Sequence, residues 1–233
     1  MEKTRILVWD LPVRLFHWLL ALSFAGAFLT AESERMRDIH VTLGYTFAGL
    51  IAFRLVWGVI GSRYARFASF VSGPRDVLRY LASLASRAPH HHVGHNPAGG
   101  WAVVALLGLG ALVAATGYAT YTGVGGHALE SLHEGAANAL LALVAVHIAA
   151  VIGSSFVHRE NLVAAMITGY KRGLAKDGIA GTRWAPAVAI AGAVVGLWLA
   201  LVNVSGSMVA GTGPDADVQR SHQSRQHDRG EHS

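Results

Sequence analysis

The sequence predicts an all-α membrane protein of five spans, and three observations predict it. Only 14% of its 233 residues are charged while 52% are hydrophobic, whereas a soluble domain carries about a quarter charged residues. Five apolar stretches, residues 13–30, 39–60, 101–121, 136–156 and 185–204, fall within the range of about 17 to 25 residues that a bilayer-crossing helix needs. Finally, the loops between them alternate between rich and poor in Lys and Arg, the pattern that orients membrane helices. Burial of all five in a large soluble core is excluded, because too little sequence remains to cover them.

The elements follow in order. The N-terminal flank carries Lys3 and Arg5 and leads into the first span. Arg14 and His17 interrupt that apolar run, so the span is expected to be retained rather than cleaved as a signal peptide. In the first loop, Arg35 and Arg37 are balanced by Glu32, Glu34 and Asp38. The second loop holds Arg63, Arg66, Arg75, Arg79 and Arg87. Within it, Ser72-Gly73-Pro74 reads as a helix start. Val77, Leu78, Leu81 and Leu84 then recur at helical spacing, which predicts a short amphipathic helix on the inner leaflet.

The third span contains Gly108, Gly110 and Gly117, and the fifth contains Gly192 and Gly196; in lipid, such small residues let helices and cofactors approach closely. No Lys or Arg lies in the third loop, whereas the fourth has Arg159, Lys171, Arg172, Lys176 and Arg183. This alternation predicts a cytoplasmic N-terminus and a periplasmic C-terminus in a bacterial inner membrane. From Ser205 onward the chain mixes Gly, Ser, Gln, Arg, Asp and His, a composition expected to be disordered.

Cysteine is absent, which excludes disulfides, iron–sulfur clusters, thiolate zinc sites and covalently attached c-type haem. The net charge of +5 is accounted for by the membrane-orienting loops and does not call for nucleic acid. Thirteen histidines remain to be explained. His90, His91, His92 and His95 lie in the second loop, His127 in the third, His158 past the fourth span, and His222, His227 and His232 in the tail. These read as incidental loop residues rather than as a metal site.

Four others are placed differently. His17 and His147 lie within spans, and His40 and His133 at the starts of spans, where an ionisable group is costly and therefore a candidate for function. His17 is near the cytoplasmic start of the first helix, while His40 and His133 are on the periplasmic side. His147 follows His133 by 14 residues, about 21 Å deeper and within roughly 40° of the same helix face. His133 is therefore level with His40, and His147 with His17. Facing pairs of neutral imidazoles suit six-coordinate haem iron. Two such haems, with irons about 20 Å apart along the bundle, would form a transmembrane electron path without an open coordination position.

Arg54 lies 14 residues after His40, on nearly the same face but at the cytoplasmic level. An arginine at mid-membrane costs about 2.5–3.5 kcal/mol on insertion scales. Its two candidate partners are a haem propionate and, by snorkelling, the inner headgroups. Gly44, one turn after His40, leaves room for a porphyrin.

Longer motifs carry a resemblance. Trp9-Asp10-Leu11-Pro12 with Arg14-Leu15-Phe16-His17-Trp18, His40-Val41-Thr42-Leu43-Gly44-Tyr45 and Phe53-Arg54-Leu55-Val56-Trp57-Gly58 come first. Gly94-His95-Asn96-Pro97-Ala98-Gly99-Gly100-Trp101, Leu132-His133-Glu134, Val146-His147-Ile148, His158-Arg159-Glu160-Asn161-Leu162 and Met166-Ile167-Thr168-Gly169 follow. In this order, from about residue 5 to residue 172, they resemble bacterial cytochrome b561-like proteins and nickel–iron hydrogenase b-type cytochrome subunits. The resemblance implies a four-helix transmembrane bundle holding two non-covalent b haems, with His17, His40, His133 and His147 as axial ligands, plus a fifth transmembrane helix.

The expected organisation is a di-haem bundle over residues 1–172, a linker and fifth helix over 173–204, and the polar tail over 205–233. The expected function is electron transfer between the quinone pool and a redox partner such as a periplasmic c-type cytochrome. Alternatives are the haem b anchor of a larger oxidoreductase such as a hydrogenase and, from another class, a metal or proton transporter using intramembrane histidines.

Overall fold

The computed structural model describes residues 4–84 and 92–211. Five of its helices are long and apolar enough to cross a membrane. These are α1 (Leu11–Thr30), α2 (Arg37–Ile60), α4 (Pro97–Tyr121), α5 (Gly126–Val157) and α7 (Trp184–Gly211). Two shorter helices, α3 (Pro74–Leu84) and α6 (Leu162–Thr168), lie between them, and β1 (Thr4–Leu7) pairs antiparallel with β2 (Tyr170–Gly173). Each predicted span has its helix, and the short helix predicted at Pro74 is α3.

Helix boundaries follow from capping chemistry. Asp10 Oδ1 accepts from Val13 N at 2.9 Å, Asn96 Oδ1 from Gly99 N at 2.7 Å and Asn161 Oδ1 from Ala164 N at 2.8 Å. Each satisfies an amide that the first turn leaves without an intrahelical partner. α4 therefore starts before the apolar run does. α5 starts ten residues before residue 136 because Gly126 to Gly135 is helical yet polar, with His127, Glu130 and Glu134. Its 32 residues span about 48 Å, more than the roughly 30 Å hydrocarbon core.

Side-chain exposure fits lipid rather than water. Only Ala136 and Leu140 are buried along α5, while Val146, Ile148, Ile152 and Phe156 are exposed. An apolar surface of this extent is a membrane surface. Helices α1 and α2 form one antiparallel hairpin, α4 and α5 another, and the two hairpins join along α2 and α4. α1 and α5 share no extended packing.

The basic segments are fastened together at one end of the bundle. β1 and β2 pair Arg5 with Arg172 and Ile6 with Lys171. Leu7 O accepts from Ile179 N at 2.8 Å, Thr182 O from Leu11 N at 2.9 Å and Asp177 O from Tyr64 Oη at 2.7 Å. A small core of Ile6, Val8, Trp9, Val13, Trp57, Ala65 and Ala165 lies beneath. Gly169 closes α6 at φ +88°, and a Cβ there would stand 2.7 Å from Trp9 O, so only glycine suits the turn. Lys171, almost fully buried, pairs with Glu160 at 2.9 Å. The N-terminal flank, the second loop and the fourth loop thus share one side, as an even number of spans between them requires.

In α3, Tyr80 and Ser83 face inward while Leu78 and Leu81 stay exposed, as an interfacial helix requires. α7 continues past residue 204 to Gly211; the rest of the polar tail, and His90 and His91, lie outside the described residues. Residues up to 190 form one compact unit and the remainder of α7 belongs to a second.

Candidate functional site

The four intramembrane histidines stand at two levels. At the level far from the N-terminus, His40 sits in the first turn of α2 and His133 near the start of α5. Their ring centroids are 6.3 Å apart with planes at 89°. His40 Nδ1 donates to Ala27 O at 2.8 Å, and His133 Nδ1 to Val113 O at 3.0 Å. A carbonyl only accepts, so each proton lies on Nδ1 and each Nε2 keeps its lone pair. This is the arrangement that orients metal-binding imidazoles.

The separation is informative. With metal–imidazole bonds of about 2.0–2.1 Å and ring centroids about 1.1 Å behind the nitrogen, two imidazoles across one metal have centroids about 6.3 Å apart. The His40–His133 centroid spacing equals this value. Gly117 on α4 makes the fit close: a Cβ there would lie 2.8 Å from His133 Cε1. Gly44, on the His40 face of α2, has nothing within 4 Å of a would-be Cβ, leaving space for a flat macrocycle.

At the N-terminal level, His17 on α1 and His147 on α5 are near enough to interact electrostatically. Both are half-buried, and His17 Nδ1 is buried without a hydrogen-bond partner. They project from helices that do not pack along one another. On α2, Arg54 is only 3% exposed, so it does not snorkel to headgroups. Its guanidinium lies 4.8 Å over the Phe67 ring and 5.9 Å over that of Phe70, and Nη1 is buried without a partner. Asp10, its nearby carboxylate, is occupied by Val13 N and by Trp57 Nε1, which donates at 3.1 Å. Asp10 thus balances Arg54 through space, without a direct ion pair among the described residues, and the Arg54 Nη1 donor is left unsatisfied.

Sequence reading placed His95 with the incidental loop histidines, and the structure corrects this. Its ring packs between Trp9, at 4.7 Å, and Phe70, at 4.5 Å between centroids. Nδ1 is buried without a hydrogen-bond partner among the described residues. Burial, reinforced by the charges of Arg54 and Lys171, pushes its pKa down to about 3, so the imidazole is neutral. The signal in the sequence was the Gly94-His95-Asn96-Pro97 run itself, where an N-cap and a proline anchor the residue beside the bundle. The other loop histidines differ: His158 contacts Tyr80 Oη at 3.3 Å and His127 pairs with Glu130 at the surface. No group of three metal-ligating side chains occurs among the described residues.

The residues present fit haem: nitrogen donors paired across a space, a glycine-lined approach, and a buried guanidinium with an unsatisfied donor suited to a carboxylate. Comparison with known proteins points the same way. A "Probable Ni/Fe-hydrogenase B-type cytochrome subunit" of Azotobacter vinelandii is 26% identical over 217 residues, covering 73% of this chain and 90% of the relative. The protein of that name from Rhizobium leguminosarum bv. viciae is 24% identical over 214 residues, covering 72% and 90%. The "Probable Ni/Fe-hydrogenase 1 B-type cytochrome subunit" of Escherichia coli K12 is 27% identical over 141 residues, covering 49% and 60%. No solved structure matches. The sequence profile described as prokaryotic cytochrome b561 matches residues 8–169, and the chain accordingly belongs to that family, as a multi-pass membrane cytochrome b of electron transport.

Proposed function

We propose that the chain carries electrons across the bacterial inner membrane through two bis-histidine b haems, held by His40 and His133 at one level and by His17 and His147 at the other. The observation that carries this reading is the 6.3 Å spacing of the His40 and His133 rings, with both Nδ1 protons committed to backbone carbonyls. Bound haem supplies one-electron chemistry at a saturated iron, so exchange is outer-sphere.

The chain's own residues do the positioning. Ala27 O and Val113 O fix two imidazole tautomers, and Gly117 seats the His133 ring. Arg54 offers its guanidinium to a carboxylate at the N-terminal level, and Gly44 gives the macrocycle room. The 14-residue step from His133 to His147 along α5 separates the levels by about 21 Å, so that together they bridge most of the roughly 30 Å core. The basic side, with the N-terminus, is cytoplasmic on this reading. Residues 1–172 form the haem-binding part on this reading, followed by a linker and fifth helix over 173–204.

Electrons pass between the quinone pool and a redox partner such as a periplasmic c-type cytochrome. A second reading is favoured by the relatives' names: a membrane subunit of a larger oxidoreductase such as a hydrogenase, which co-purification would reveal. The primary test is optical. Purified protein is expected to show a sharp reduced b-haem α band and two haems per chain. His147→Ala is expected to keep only the His40–His133 haem. A colourless preparation, or two haems retained in His147→Ala, would overturn the assignment.

A further inference from the structure

Two buried nitrogens at the N-terminal level have no hydrogen-bond partner among the described residues: Arg54 Nη1 and His95 Nδ1. They come from distant parts of the chain, α2 and the loop before α4, yet Phe70 touches both, 5.9 Å from the Arg54 guanidinium and 4.5 Å from the His95 ring. Arg54 is the leading charged neighbour of His95, and His17 and His147 are within electrostatic range of it as well. A buried polar atom left unsatisfied is costly, and Phe70 packs beside both groups, so an acceptor that arrives from outside the chain would satisfy Arg54 Nη1 and, with its proton on Nδ1, His95. That acceptor must be anionic to suit Arg54, and it must tolerate a neutral imidazole donor. A carboxylate does both.

We infer that His95 and Arg54 together form a two-pronged clamp for the propionate carboxylates of the haem held between His17 and His147. The clamp rests on the di-haem reading above and adds His95 to it as a positioning residue. Arg54 supplies charge, and His95, in the Nδ1-protonated tautomer, supplies an N–H. The Trp9 and Phe70 rings hold the imidazole in place.

The test uses the detergent-purified holoprotein with excess apomyoglobin as haem acceptor, following the departure of each haem optically, alongside redox titration. His95→Phe fills the slot without a ring nitrogen, and His95→Gln restores an N–H donor. In His95→Phe, one of the two haems is expected to leave about tenfold to a hundredfold faster. Its midpoint potential should fall, because the carboxylate charge is less neutralised, while the other haem is unchanged. His95→Gln should recover part of both effects. Outright loss of that one haem from His95→Phe, with the other kept, also supports the clamp. Unchanged release and potential in a two-haem His95→Phe protein would overturn it. So would equal weakening of both haems, or loss of both in both variants, since His95 would then act only through the fold. A wild-type protein without two bis-histidine haems would instead overturn the di-haem reading itself.

Discussion

On the proposed di-haem reading, Gly117→Ala is a small change that should unseat a haem without replacing a proposed ligand. The added Cβ would lie 2.8 Å from His133 Cε1 and 3.2 Å from Nδ1, where ordinary contact begins at 3.4 Å. The imidazole must then withdraw by about 0.6 Å, which exceeds the roughly 0.2 Å tolerance of a metal–ligand bond. Withdrawal also strains the 3.0 Å bond from Nδ1 to Val113 O. Overpacking of this kind costs about 1–3 kcal/mol, or roughly ten- to a hundredfold in retention of the far-level haem. Haem-to-protein ratio and the low-spin absorbance spectrum provide the assay. Gly108→Ala is the control, since a Cβ on that part of α4 meets nothing within 4 Å. Two haems with unaltered spectra in Gly117→Ala would refute the reasoning, because His133 would then be free to move or would not be a ligand.

Further outcomes follow from other contacts. Asp10→Ala removes the α1 cap and the acceptor of Trp57, and should cost about 2–4 kcal/mol, seen as a lower thermal transition in detergent; an unchanged transition would show that the Asp10 contacts are dispensable. His95 is held to a pKa of about 3 against a usual 6.5. Below pH 6.5 the unfolded chain binds a proton that the folded chain refuses, so stability should fall as pH drops toward 3, by at most about 1.4 kcal/mol per unit. Denaturation between pH 7 and 5 should show a flatter dependence in His95→Phe than in wild type. In this cysteine-free chain, Val124→Cys should react with a membrane-impermeant maleimide in intact cells while Arg79→Cys should not. The reverse pattern would invert the orientation.

The membrane class, the five spans and the level of each intramembrane histidine were legible in the sequence because they depend on local quantities. Apolar run length, loop charge and a 1.5 Å rise per residue need no knowledge of neighbours. Element ends were less legible: α5 begins within a polar segment whose helicity no hydropathy pattern reveals. The β1–β2 pairing was also hidden, since it joins residues about 165 positions apart in segments with no strand pattern of their own.

The sequence by itself therefore determined that His17, His40, His133 and His147 stand at two matched depths, because helix geometry converts spacing into height. Only the tertiary structure decided which atoms face one another. The 6.3 Å His40–His133 spacing depends on how closely α4 lets α5 approach at Gly117. Whether Arg54 reaches headgroups or stays buried was settled by Phe67 and Phe70, from a loop after its own helix. His95 changed from a loop residue to a buried neighbour of Arg54 because Trp9 and Phe70 close on it from opposite parts of the chain. Such long-range enclosure is a property of packing, which no local pattern encodes.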